Sequence, residues 1–144
     1  MHNTQIEAKY KVIPWISGKS LDEIEGFGHR VVNAGEEHFD SELITDEILE
    51  SLRLNVDFAP LHIPGSIAGI ESAMQLCPGK PNVAVFDIGF HKSLPDYVYR
   101  YALPKQDYEE LKIRKYGAHG TSHRFVNLEI SKQPIIKDAE DAAR

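Results

Sequence analysis

Val83-Ala84-Val85-Phe86 is an unbroken apolar run that ends on Asp87. A strand with no polar face must be covered on both sides, the situation of a buried and commonly parallel strand. Helical patterns precede it. Thr45 to about Leu54 predicts a helix: Thr45 suits its cap, Asp46 and Glu47 suit the positive end of its dipole, and Ile48, Leu49 and Leu52 share one face. Pro64 suits the first position of a second helix. There Ile67, Ile70, Ala73, Met74 and Cys77 recur at helical spacing before Pro78-Gly79 stops it. Gly26 to Val32 predicts a short strand ending at Asn33-Ala34-Gly35, whose glycine takes positive φ without strain. Strands alternating with helices give an α/β fold.

The remainder is less regular. Residues 1–20 alternate weakly (Tyr10, Val12, Ile13, Trp15, Ile16) as one edge strand would. Pro95 to Leu103 reads as a packed loop or short helix, Gln106 to Leu111 as a helical turn or two, and Arg114 to Tyr116 as a short strand. That strand enters the glycine-rich turn Gly117–His123, with a helix starting near Thr121 or Ser122, and the last 18 residues read as a frayed helix or tail. The 144 residues suffice for one domain with a core. Apolar residues at 42% and charged residues at 26% exclude collagen-like, coiled-coil and disordered classes. Sixteen basic against 22 acidic side chains, net −6, provide no diffuse positive field for nucleic acid. No stretch approaches a membrane span, and the first residues lack the pattern of a signal peptide. The single cysteine, Cys77, excludes an internal disulfide and fits a reducing compartment, so a soluble cytoplasmic protein is expected.

Polar residues stand at the ends of the apolar strands. Arg30 interrupts an apolar stretch; its planar fork keeps its charge and binds a carboxylate or phosphate with two hydrogen bonds. A surface or ion-paired arginine is the plainer reading. Asp87 lies just past Val83–Phe86, where ligands of open α/β sheets collect, and can hold a metal or align a phosphoryl acceptor. A loop aspartate bonded to its own backbone is the alternative. His119 and His123 have the i, i+4 spacing of metal ligands on a helix, but Gly120 intervenes and no HExxH glutamate is present. Gly117 and Gly120 point instead to backbone N–H groups open at a helix start, an anion site where a histidine can donate to a transferring phosphoryl group. His62 and His91 each follow an apolar residue and read as satisfied, half-buried side chains. Cys77 reads as packing.

GHRVV at 28–32, LITDE at 43–47, APLH-x-P at 59–64, GIESAMQL-x-PG at 69–79, VAVFD at 83–87, FH at 90–91, YALP at 101–104 and YG-x-HGTSHRFV at 116–126 occur in that order. Over residues 26–126 the chain strongly resembles the acetate kinase family, enzymes that move phosphate between ATP and acetate to give acetyl phosphate. The resemblance implies an actin-like, ribonuclease-H-like lobe of the kind shared with sugar kinases. It implies that Arg30 binds the substrate carboxylate or acyl phosphate and that Asp87 is the catalytic aspartate. It implies that His119 stabilises the equatorial oxygens in the transition state, and that Val32, Leu61, His62 and Ala118 line or adjoin the small acyl pocket. Magnesium and ATP are the expected cofactors. Acetate or another short-chain carboxylate, acetyl phosphate and ATP/ADP are the expected small partners, with neither nucleic acid nor membrane; a homodimer stays open.

The departures from the family pattern carry expectations of their own. Asn33 stands where the family has a histidine, Ile63 replaces a helix-capping asparagine, Ala118 replaces a phenylalanine, and Ile88-Gly89 replaces Thr-Ala. Losing the cap costs about 1 kcal/mol, and Ala118 loosens the acyl pocket. The family's phosphate loop has no counterpart in residues 1–20, and its second lobe would lie beyond residue 126. Residues 1–20 and 127–144 therefore read as divergent segments flanking a partial lobe at 21–126. This chain is expected to carry the acyl half of the site without most of the ATP half, with no cofactor-binding residue assigned and no metal ligands. Two readings follow: an acetate kinase-like phosphotransferase incomplete by itself, or a non-catalytic remnant that binds a small carboxylate, an acyl phosphate or a partner subunit. Arg30→Ala is expected to abolish acyl-phosphate binding and leave the fold intact.

Overall fold

A computed structural model describes residues 21–132; the expected edge strand near the start and the end of the tail lie outside them. Strand β1 (Phe27–Val31) pairs in parallel with β3 (Asn82–Phe86), in a register that sets Phe27 beside Asn82 and Val31 beside Phe86. The two-residue strand β2 (Glu42–Leu43) adds antiparallel to the other edge of β3, giving the order β1-β3-β2. Between β2 and β3 come helices α1 (Asp46–Leu54) and α2 (Ile63–Leu76), which pack on each other, with α2 also on β1. Val31, Leu49, Leu52, Ile63, Ile70, Ala84, Phe86 and Ile88 form the buried core they share.

The local signals act as their chemistry requires. Thr45 caps α1, its hydroxyl accepting from the Ile48 amide at 3.4 Å. Pro64 sits in the first turn of α2, and Gly35 and Gly79 take φ of 78° and 79° where their elements end. Cys77 is buried at the end of α2. The central strand differs from the expectation of two covered faces. Asn82, Ala84 and Phe86 are buried while Val83 and Val85 are only half-buried, Val85 lining an open groove. Ile63 also changes meaning. It is not the cap: His62 holds that position without a side-chain cap bond, and Ile63 is the first residue of α2, fully buried in the core, where burial of such a side chain contributes about 1.5–3 kcal/mol.

After β3 the chain makes a 3-10 turn, Asp87–His91, then helices α3 (Asp96–Tyr99), α4 (Lys105–Leu111) and α5 (Gly120–Ile130). Residues 114–116 form no strand. Their backbone tie is a single bond from the Lys115 amide to the Tyr99 carbonyl, and the Arg114 side chain turns inward to an acidic partner. Of the expected tail, residues 127–130 are the last turn of α5, whose Phe125, Val126, Leu128 and Ile130 lie at the surface.

Candidate active site

The parallel register places Arg30 beside Val85 at the C-terminal ends of β1 and β3, with Asp87 two residues further along. Asp87 is completely buried and keeps its charge through donors on both oxygens. The Arg30 Nε donates to Oδ2 at 3.0 Å and its Nη2 reaches the same oxygen, while the Thr121 hydroxyl donates to Oδ1 at 2.7 Å. Burial pushes the Asp87 carboxyl up, but Arg30 and then Thr121, by hydroxyl and backbone N–H, outweigh it and hold the group below its ordinary value. The hydrogen bond to Asp87 raises the Arg30 pKa in turn. The guanidinium side chain is 52% exposed, so one flank is anchored on a buried carboxylate and the other meets solvent.

His119 joins this pair from α5. Its Nδ1 lies 3.4 Å from Arg30 Nη2 and accepts from it. The residue precedes the helix in the left-handed conformation, φ 53° and ψ 31°. Gly120 is buried against the 3-10 turn, where a Cβ would collide with the Asp87 carbonyl oxygen. The start of α5 is therefore docked on the Asp87 turn. The His123 ring stacks on Phe90 at 6.0 Å and meets the His91 ring edge to face at 5.6 Å. Among the described residues no group of three His, Cys, Asp or Glu is placed to hold a metal.

The remaining sequence candidates sit around this centre. Val32 is half-buried against the core two residues after Arg30. Leu61 and His62 precede α2, whose Ser66 hydroxyl donates to the Arg30 carbonyl at 3.3 Å. Leu61 is 91% exposed. His62, expected to be half-buried, is exposed because the core beneath it is filled by its neighbour Ile63. Ala118 is exposed, and its carbonyl accepts from the half-buried His91 at 3.0 Å. A groove of about 500 Å3 between α5 and the 3-10 turn, touching Val85, Phe90, Thr121 and Arg124, is lined by neither Arg30 nor His119.

Sequence reasoning passed over two features. Thr121 reads in the sequence only as a helix start, although its hydroxyl two positions after His119 is the available signal. Glu36 carries the other. Arg114 Nη1 reaches its Oε1 at 2.5 Å and the Tyr108 hydroxyl donates to the same oxygen at 2.8 Å. Burial raises the Glu36 carboxyl, but these two partners overcome it and leave it lowered. The Arg114 guanidinium lies 3.5 Å from the centre of the Tyr99 ring, and its side chain is 6% exposed. This buried cluster ties the segment that delivers Gly117–His119 to the turn after β1.

The acetokinase family model matches residues 5–143, beyond the motif-bearing stretch on both sides. The chain belongs to the acetokinase family. It is 49% identical over 120 residues to the acetate kinase of Caldicellulosiruptor saccharolyticus, covering 81% of this chain and 30% of that one. It is 48% identical over 125 residues to the acetate kinase of Thermotoga maritima, covering 87% and 30%. Its fold is that of part of an actin-like kinase lobe. It superposes on the Porphyromonas gingivalis acetate kinase with a TM-score of 0.80 at 35% identity, over 89% of this chain and 33% of that one. The Francisella tularensis propionate kinase gives 0.79 at 40% identity, over 85% and 32%. The acetokinase chain described here spans about 30% of the length of the curated relatives it matches.

Proposed function

We propose that this chain supplies the carboxylate-handling part of an acetokinase phosphoryl transfer, ATP and acetate giving acetyl phosphate and ADP. The observation that carries the reading is the union of Arg30, Asp87 and His119 at the ends of two parallel strands. A carboxylate oxygen attacks the γ-phosphorus, the bond to the β-phosphate oxygen breaks, and ADP departs with its electron pair. Little covalent chemistry falls to the protein, so positioning and charge neutralisation dominate. The open flank of Arg30 receives the carboxylate or acyl phosphate. Asp87 holds that guanidinium in place and stands beside the transferring group. His119, in contact with the same guanidinium, meets the equatorial oxygens. Val32, Leu61, His62 and Ala118 form the wall around the short acyl chain.

Magnesium takes one or two carboxylates together with substrate phosphates; both oxygens of the buried Asp87 are already held by Arg30 and Thr121, and no described residue is assigned to the metal. When bound, the magnesium–nucleotide complex supplies a charge-neutralised phosphoryl donor; no described residue is assigned to the nucleotide. The protein works in the cytoplasm on this reading, in keeping with the unpaired, buried Cys77 and the absence of any helix long and apolar enough to cross a membrane among the described residues. Its partners are small molecules and not nucleic acid, with a homodimer open. A second reading is binding of carboxylate, acyl phosphate or a partner subunit without turnover; it is favoured by the burial of Asp87, whose two oxygens are both occupied by Arg30 and Thr121. The test is acetyl phosphate formation from ATP, magnesium and acetate, with direct acetyl phosphate binding alongside. Turnover supports the first reading and binding alone the second, and either must disappear in Arg30→Ala. Undiminished binding by that variant refutes the site.

A further inference from the structure

We propose that His91 is a positioning residue that sets the direction of the His119 imidazole; the proposal rests on the reading of His119 as a group that meets the transferring phosphoryl. His91 ends the 3-10 turn that Asp87 begins, so one short rigid piece carries both. Its Nε2 lies 3.0 Å from the Ala118 carbonyl oxygen, and only an N–H can meet a carbonyl there, so Nε2 carries the proton. The ring lies flat against Gly117, where a Cβ would run into it, and Gly117 itself takes φ 83°. Phe90 at 5.2 Å and His123 at 5.6 Å, both edge to face, hold the ring from other sides.

These contacts bear on a costly stretch of backbone. His119 and Lys112 are the non-glycine residues with positive φ among those described, and a left-handed histidine persists only where its surroundings impose it. On one side of His119 the His91 ring and N–H fix Gly117 and Ala118; on the other, Gly120 is pressed on the Asp87 carbonyl. Between two such anchors the backbone at 119 has one course, and that course points Nδ1 at Arg30 Nη2. The His91 side-chain hydrogen bond goes to the Ala118 carbonyl and not to Arg30 or Asp87, so it acts through the turn.

The experiment is long-range proton–nitrogen NMR of the histidine rings in the full chain, followed by acetyl phosphate titration. The wild type should show His119 as the Nε2–H tautomer, its Nδ1 accepting from Arg30. His91→Phe keeps a ring against Gly117 and removes the donor. It should move His119 toward mixed tautomers and raise the Kd for acetyl phosphate about tenfold, within the loss a displacement of an ångström can cause. His91→Gln, which retains a donor, should recover most of both, and His91→Phe in a His119→Ala background should add no further loss. Unchanged His119 signals in folded His91→Phe, or an equal loss in the His119→Ala background, overturns the proposal. Where His91→Phe does not fold, His91→Gln decides: native His119 signals support the role and altered ones refute it. A wild type that binds no acetyl phosphate defeats the functional reading alone, because the ring signals of the ligand-free chain still judge His91.

Discussion

Removing Arg30 exposes how far binding and folding are entangled in this site. Asp87 is wholly buried, and of its two side-chain donors Arg30→Ala leaves only Thr121. Breaking a buried ion pair costs about 3–5 kcal/mol, and a surface pair about 0–1. The Arg30 side chain is 52% exposed, so water reaches the vacated flank and the cost falls between, about 2 kcal/mol. The sequence-level expectation that the fold stays intact is thereby replaced by one of a folded but weakened variant. With a urea slope of about 1–3 kcal/mol per molar, the unfolding midpoint should drop by about 1 M. The pH dependence adds a sign. Burial raises the Asp87 carboxyl, and Arg30 is foremost among the groups that lower it below its ordinary 3.8. A carboxyl depressed by folding contributes stability above pH 3.8 that is lost as pH falls through its folded value. Without Arg30 the foremost lowering partner is gone, and Asp87 protonates at a higher pH in the variant than in the wild type. The gap between wild type and Arg30→Ala should therefore be widest near pH 7 and narrow as pH falls below 3.8, and adding Asp87→Asn should narrow it at pH 7. Equal midpoints at neutral pH, or a gap indifferent to acid and to Asp87→Asn, would mean that Asp87 does not depend on Arg30 for its charge.

Three further outcomes are expected. Gly120→Ala drives a Cβ into the Asp87 carbonyl and should cost about 1–3 kcal/mol, read as a lowered melting temperature; an unchanged value would mean that α5 is not docked as described. Ile63→Asn puts an amide at the first residue of α2, one position past the cap at His62, and removes a fully buried side chain, so chemical denaturation should show destabilisation by about 1 kcal/mol or more; an unchanged midpoint would take Ile63 out of the core. Ala118→Phe should fill the acyl wall and weaken propionate and butyrate relative to acetate in competition for acetyl phosphate binding. One methylene in such a pocket is worth about 1–3 kcal/mol, and unaltered competition would remove Ala118 from the wall.

Much of the fold was legible because its signals are local. A threonine followed by two acids begins α1, a proline opens α2, a Pro-Gly ends it, and an apolar run makes the central strand. Ranges near the glycine-rich turn were less legible. Arg114–Tyr116 has strand-like residues, yet Arg114 finds Glu36, 78 residues away, and stacks on Tyr99 instead of joining a sheet. His62 and Ile63 exchanged their expected places because the helix phase that decides which of them faces the core depends on how α2 lies on β1.

The residue types of the site, and the motifs that mark the family, are properties of the chain read in one dimension. Their meeting is not. Arg30 and Asp87 are 57 residues apart, and Arg30 and His119 are 89 apart; nothing local orders those separations. The parallel register of β1 and β3 brings the first two side by side, and the close approach of Gly120 to the Asp87 carbonyl brings the third. Periodicity, caps and turn residues act over a few bonds and so are written in the sequence. Which buried carboxylate meets which guanidinium depends on the packing of strands and helices against one another, and only the folded chain settles that.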